Sequence, residues 1–396
     1  MLKMQENKKI PLSEPYFFGE EKKTLTDCIN SGWVTTSGKY INLLKNKIRL
    51  LTKTKYVSLL VNCTSALQLA IRSLNPNQDD EILVPSMTFI ASVNAIFYNN
   101  CKPIFLDCDE DYLLDFSKTK EFISKNTFKK NGYIFNKKTK KRIIALIIVH
   151  AFGNCVKMDN KLINFFRKNK IKIIEDAAGS LGSYTKLQNK IKHAGSIGDI
   201  GCISFNGNKI ITSGGGGAII TNNKEIYNKI NYLSNQAKDD ILNYKHDEIG
   251  YNMRMSNLNA AVGYSQLNKL KLIIKKKREI NNNYYKSLSK TPGLRLLREN
   301  NNSYSNYWIN ILRINSREYG RTKNDLIKFL SSKGVEVRSI WYPNHLQKAF
   351  INNQKDKTVI SEDLFKSSIC LPSSYSLTKK EILYISKLIT SYAKKN

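Results

Sequence analysis

Short apolar runs alternate with helix-period segments along the first two-thirds of the chain. Val57 to Val61 reads as a strand, and Thr64 to Leu74 as a helix whose apolar positions Leu67, Ala70, Ile71 and Leu74 share one face. Ile82 to Val84 is a second strand, stopped by Pro85, and Phe89 to Tyr98 a second helix. Ile104 to Leu106, Ile143 to Val149, Ile171 to Ile174 and Ile200 to Phe205 continue the strands. This alternation predicts an α/β fold, a mostly parallel sheet with helices on both faces. Ligand sites in such sheets gather beyond the carboxyl ends of the strands. Asn62 to Ser65, Asp107, His150, Asp176 and Asn206 to Lys209 all fall at those ends, which predicts one shared site.

From about Ser256 the pattern changes to a long basic helix running through Leu267, Leu270 and Ile274 to about Leu288. A smaller α+β region follows, with a strand at Tyr307 to Ile314, a helix at Lys323 to Ser332 and a closing helix at Leu377 to Tyr392. The change predicts a large α/β domain over residues 1–265 and a small C-terminal α+β domain over 266–396. A chain of 396 residues is long for a single core, which agrees with two.

Composition removes several classes. The longest apolar run, Ile143 to Val149, is too short to span a membrane. The start, Met1 to Pro11, is polar and lacks the apolar core of a signal peptide. Seven cysteines form no CxxC pair, and four scattered histidines give no metal-ligand spacing. The expectation is a reduced, cytoplasmic protein with no metal. The net charge of +32 raises a rival class, a non-catalytic nucleic-acid-binding or regulatory protein. Lysine, however, is spread over the whole length beside abundant Asn and Ile, as an A/T-biased coding sequence would produce. Neither a zinc finger nor an RNP-type aromatic pair is present. The densest basic run, Lys125 to Arg142, contains no acid and reads as a solvated loop, or as a device attracting an anionic nucleotide substrate.

Candidate chemistry centres on Lys209, just past an apolar strand in Ser204-Phe205-Asn206-Gly207-Asn208-Lys209, and on Asp176 at the end of another. A lysine able to form a Schiff base and a carboxylate able to hold a pyridinium nitrogen are the two side chains that pyridoxal 5′-phosphate (PLP) chemistry needs. Thr64 and Ser65 open a helix directly after a strand, where backbone N–H groups and hydroxyls can hold a phosphate; Thr64 is equally suited to a plain N-cap. Ser204 is a further phosphate candidate. Phe89 could stack on the ring or belong to the core. Asp176 could instead cap the helix ahead of Ala177-Ala178. Gly214 to Gly217 lacks the lysine and Ser/Thr of a P-loop and reads as a close backbone passage.

Taken together, these segments resemble the DegT/DnrJ/EryC1/StrS family of PLP-dependent nucleotide-sugar aminotransferases over nearly the whole chain. The matching segments are Ile10-Pro11-Leu12, Gly32-Trp33-Val34-Thr35-Thr36-Ser37-Gly38, Thr64-Ser65-Ala66-Leu67, Val84 to Phe89, Glu175 to Ala178, Gly198 to Gly201, the Lys209 segment and Gly250 to Ser256. Ser204 to Thr212 followed by four glycines, the insertion around Tyr133 with Asn136 to Thr139, and His150 to Asn154 are most similar to the legionaminic-acid-pathway (LegC) type. The resemblance implies the aspartate-aminotransferase-like type I fold. It also implies Lys209 as Schiff-base lysine, Asp176 as pyridinium partner, Phe89 as stacking residue, and Thr64, Ser65 and Ser204 as phosphate ligands. Asn252 would join them from a second subunit, so a homodimer with the site at its interface is implied. Thr35, His150, Tyr342 and His345 match positions near the sugar, the last two being equally explained by packing. The implied reaction moves the amine of L-glutamate to the C4 ketone of a UDP-linked 4-keto-6-deoxy-N-acetylhexosamine. GDP- or dTDP-linked acceptors, as for a perosamine synthase, are the alternative. One departure stands out: many relatives carry Gln, His or Glu where this chain has Gly179.

Overall fold

The apolar runs form one sheet. In the computed structural model, which describes residues 9–240 and 242–394, its strands are β1 (Tyr56–Leu60), β2 (Glu81–Pro85), β3 (Lys102–Leu106), β4 (Ile143–Val149), β5 (Lys172–Asp176), β6 (Ile200–Ser204) and β7 (Gly217–Thr221). Their order is β1-β7-β6-β5-β4-β2-β3, and β7 alone runs antiparallel to its neighbours. Successive residues of a strand point to opposite faces. Ile82, Val84, Ile147 and Ile174 accordingly pack under the helices Cys63–Arg72 and Ile90–Phe97. Leu83, Leu146, Ile148 and Ile173 pack on the other face, against Phe166 and Leu162 of the helix Asn160–Lys168. All seven residues of β4 are buried, as a central parallel strand covered twice requires.

A second, four-stranded antiparallel sheet is built from Leu294–Leu296, Asn310–Ile314, Ser368–Leu371 and Arg338–Ser339, in that order. Its core joins Leu312 and Ile369 to Ile280 and Tyr284 of the helix Leu270–Leu288, to Leu326 and Leu330, and to Ile382, Ile385 and Ile389. A reciprocal capping box between Thr378 and Glu381 starts the closing helix, Lys379–Tyr392.

Two expectations are corrected. The predicted single helix from Ser256 is two, Asn257–Asn268 and Leu270–Leu288, with the break at Lys269 (φ −97°, ψ 0°). Leu267, Leu270 and Ile274 stay buried across it, so the apolar period runs on and hides the break. The predicted loop at Lys125 to Arg142 contains a hairpin, Thr127–Lys130 paired with Tyr133–Asn136. Phe128 stacks on Phe135, and Asn136 Nδ2 donates to the buried Glu81 carboxylate at 2.8 Å.

Among the described residues no helix is long and apolar enough to cross a membrane, and no group of three or more His, Cys, Asp or Glu could hold a metal ion. All seven cysteines are buried and unpaired. Residues 1–8 of the polar start lie outside the described residues.

Candidate active site

A cavity of about 560 Å³ opens at the carboxyl ends of β1, β2, β4, β5 and β6. Thr64, Phe89, His150, Asp176, Ser204 and Lys209, drawn from five separate strand ends, all line it. A second hollow of about 630 Å³, around Arg142, Lys172 and Asp199, lies at the opposite strand ends and holds none of them.

One end of the cavity is suited to an anion. Asn62, not Thr64, is the N-cap: its Oδ1 accepts from Ser65 N–H at 2.8 Å. Thr64 therefore sits inside the first turn, where the N–H groups of Cys63 and Thr64 have no partner within the helix and the helix dipole is positive. The Ser204 hydroxyl lines the same cavity from β6. Gly217 lets β7 pass beside this turn, since a Cβ there would lie 2.6 Å from the Asn62 carbonyl carbon.

Asp176 is buried and oriented from both sides. Its Oδ1 accepts from Ala178 N–H at 3.0 Å and its Oδ2 from the Ser92 hydroxyl at 2.5 Å. The adjacent Glu175 faces the other way into a cage. It accepts from Gly195, Ile197 and Gly198 N–H groups at 2.5–2.8 Å and meets His150 Nε2 at 2.8 Å. His150 Nδ1 accepts from Val156 N–H at 3.1 Å, which leaves Nε2 to donate to Glu175. His150 thus presents a fixed ring to the cavity.

Lys209 lines the same cavity. Burial lowers its amine from the ordinary 10.5 to about 8, opposed by the charge of Asp176. Its Nζ stands 3.7 Å from the centroid of the Trp308 ring. Trp308 is itself buried, and its indole N–H donates to Asn208 C=O at 2.6 Å. Phe152 and Trp341, stacked at 4.2 Å, extend the same aromatic wall.

Other predicted residues lie elsewhere. Ser65 is buried beside the cavity without lining it. Thr35 is exposed, its C=O accepting from Asn257 N–H at 2.5 Å. Asn252 is exposed outside the cavity, in a bridge with Asn235. Tyr342 packs edge-on against Phe365 and is not on the lining. His345 is also off the lining, buried with Nδ1 at 2.6 Å from Ser86 Oγ and Nε2 at 3.1 Å from Glu362 and Thr358. Asp107 leaves the strand-end group as well: it receives the Ile360 and Ser361 N–H groups and pairs with Lys118 at 3.0 Å.

Phe152 follows His150 at the end of β4, whereas Trp308, Asn306 and Trp341 carry no local signal, because they come to the site or its wall through long-range packing. Lys277 belongs with them. It is buried and donates to the backbone carbonyls of Trp308, at 3.2 Å, and of Ser373. Burial without a carboxylate lowers it to about 7. A folded pKa below the unfolded one penalises folding fully below pH 7 and ceases to as pH rises toward 10.5. Thermal melts of the cofactor-free protein should therefore gain stability from pH 7 to 10, and Lys277→Met should flatten that slope.

These residues fit PLP. The helix end and Ser204 suit a phosphate, Asp176 a pyridinium nitrogen, Phe89 a ring face, and Lys209 a reactive aldehyde. The DegT/DnrJ/EryC1/StrS aminotransferase family model matches residues 16–390. The chain is 33% identical to GDP-perosamine synthase of Escherichia coli O157:H7, over 97% of this chain and 99% of that protein. It is 26% identical to UDP-4-amino-4,6-dideoxy-N-acetyl-beta-L-altrosamine transaminase of Campylobacter jejuni serotype O:2, over 94% of each. A family aminotransferase from Brucella abortus superposes with a TM-score of 0.85 at 22% identity, covering 95% of this chain and 96% of that one. The chain belongs to the DegT/DnrJ/EryC1/StrS aminotransferases, has their type I fold, and is a PLP-dependent sugar aminotransferase.

Proposed function

We propose that the protein transfers the amino group of L-glutamate to C4 of a UDP-linked 4-keto-6-deoxy-N-acetylhexosamine, for surface-glycan synthesis of the legionaminic-acid or bacillosamine kind. The observation that carries the reaction class is the meeting of Lys209, Asp176 and a helix N-terminus in one cavity. The UDP acceptor rests on the Ser204 to Thr212 segment with its four following glycines.

Bound PLP supplies an electron sink and a carrier for the amine. The Cys63 and Thr64 N–H groups, the Thr64 hydroxyl and Ser204 would hold its phosphate, and Asp176, steadied by Ser92 and Ala178, would keep the pyridine nitrogen protonated. Lys209, neutral above about pH 8, takes the proton from the donor α-carbon and later returns one to C4 of the acceptor. Such a positioned acid/base contributes about 10²–10⁴-fold. Trp308, Trp341 and Phe152 keep water from that amine. Glutamate enters first, 2-oxoglutarate leaves, and the keto-sugar follows.

The homodimer belongs to the same reading. Phe89 is 56% and Trp33 56% exposed, and Val34 and Val61 are also open. Asn257 donates to Trp33 C=O and Arg254 to Thr36 C=O, so this apolar group adjoins the segment that carries Asn252. A second copy over this face would cover it and bring Asn252 toward a neighbouring phosphate site. The +32 charge is read as compositional.

Full-length identity of 33% to GDP-perosamine synthase favours a second reading, a GDP-linked acceptor. Absorbance of the purified protein with PLP, followed by L-glutamate, tests the first half-reaction. A yellow band that bleaches is expected; a band indifferent to glutamate would sink this donor. Parallel assays with UDP-4-keto-6-deoxy-N-acetylglucosamine and GDP-4-keto-6-deoxymannose then decide the nucleotide. Turnover of the GDP-sugar alone would overturn the UDP assignment.

A further inference from the structure

Gly179 and Trp308 are 129 positions apart in sequence, yet one is shaped to the other. A Cβ on Gly179 would lie 2.5 Å from Trp308 Cε3 and 3.0 Å from Cζ3, distances that only glycine avoids. Asn306, fully buried, locks the pair: its Nδ2 donates to Gly179 C=O at 3.0 Å and Leu181 C=O at 2.9 Å, while its Oδ1 accepts from Trp308 N–H at 2.8 Å. The indole N–H is held by Asn208 C=O at 2.6 Å, one residue before Lys209. Lys277 holds the Trp308 carbonyl from behind. Every polar group of Trp308 is therefore engaged, and its ring ends with Lys209 Nζ 3.7 Å from the centroid.

We propose that Trp308 is the positioning residue of Lys209, its indole face shielding and aiming the amine, and that position 179 is glycine to admit that indole. The inference rests on the transaminase reading for its purpose, but the geometry belongs to the cofactor-free chain. A cation over an indole is attracted by the electron-rich ring face. The same ring excludes water from the amine, and burial is the larger effect at Lys209, with the charge of Asp176 opposing it; the nearby Cys63 thiol is held in its neutral form by burial. Removing the indole should let water in and move the amine toward its ordinary value.

The test is pH-dependent acylation of lysines in the cofactor-free, full-length protein, with Lys209 quantified by peptide mass spectrometry against an exposed lysine such as Lys129. The wild-type midpoint should fall near 8. Trp308→Leu should raise it by about one unit, a roughly five-fold loss of Lys209 labelling at pH 8 relative to Lys129. Trp308→Phe, which keeps an aromatic face, should stay nearer the wild type. Gly179→Ala should act like Trp308→Leu, and the double variant should be no worse than either, because both displace one ring. An unchanged or lowered midpoint in Trp308→Leu, or additive effects in the pair, overturns the proposal. If Trp308→Leu does not fold, Gly179→Ala alone decides, an unmoved midpoint being the negative result. Failure of the wild type to bleach with glutamate would remove the transaminase reading without altering any of these labelling outcomes.

Discussion

Lys209→Ala should abolish turnover while leaving the fold intact. Among the described residues no other amine lines the cavity beside Asp176, and the buried Lys277 is committed to two backbone carbonyls. On the proposed mechanism the variant loses both the covalent attachment of PLP and the proton shuttle, the second of which alone would be worth about 10²–10⁴-fold. Stability should hold or rise at pH 7. The folded amine titrates near 8, below the unfolded 10.5, so protonated Lys209 costs folding energy at pH 7 and regains it only as pH climbs through that interval. Single-turnover assays and thermal melts check both halves. Appreciable full-cycle activity in the variant would mean that another group does the chemistry.

Glu175→Ala should produce the largest loss of stability. The carboxylate is fully buried and receives three backbone N–H groups and His150 Nε2. Alanine would leave four donors without their acceptor, those of His150 and Gly195 fully buried and those of Ile197 and Gly198 partly so. Breaking a buried ionic or charge-assisted set from one side costs about 3–5 kcal/mol, which in a chain of this size lowers the melting temperature by about 4–6 °C. Because the cage ties the Gly195–Gly198 loop to the strand that carries Asp176, PLP retention should weaken too. A melting temperature within 2 °C of wild type, in a scanning calorimeter, would show the cage to be ornamental.

Sequence and structure agree where chemistry follows local pattern. Lys209, Asp176, Thr64 and Ser204 were legible as neighbours because each sits at the end of an apolar strand or in the few residues after it, and the strand ends converge by topology. The break at Lys269 was not legible, since Leu267, Leu270 and Ile274 keep the helical period through it. His345 illustrates a different failure. The segment Trp341 to His345 does reach the cavity, but through Trp341; the imidazole turns inward to Ser86, Thr358 and Glu362. Trp308 was invisible for a third reason: its role depends on a missing side chain at position 179, and an absence 129 residues away leaves no periodicity to read. Gly179, met as an unexplained departure, is the complement of that indole.

The carboxyl-terminal part of the chain supplies Trp308, Arg338, Trp341 and Cys370 to the cavity, and the Ser373 carbonyl to Lys277. Domains emerging from the ribosome generally fold amino-terminal part first. A nascent chain halted between Lys209 and Trp308 would carry Asp176 and Lys209 with one wall of their chamber missing. Productive capture of the vitamin-derived group is therefore one of the last events in the making of this molecule, and truncated products should emerge colourless.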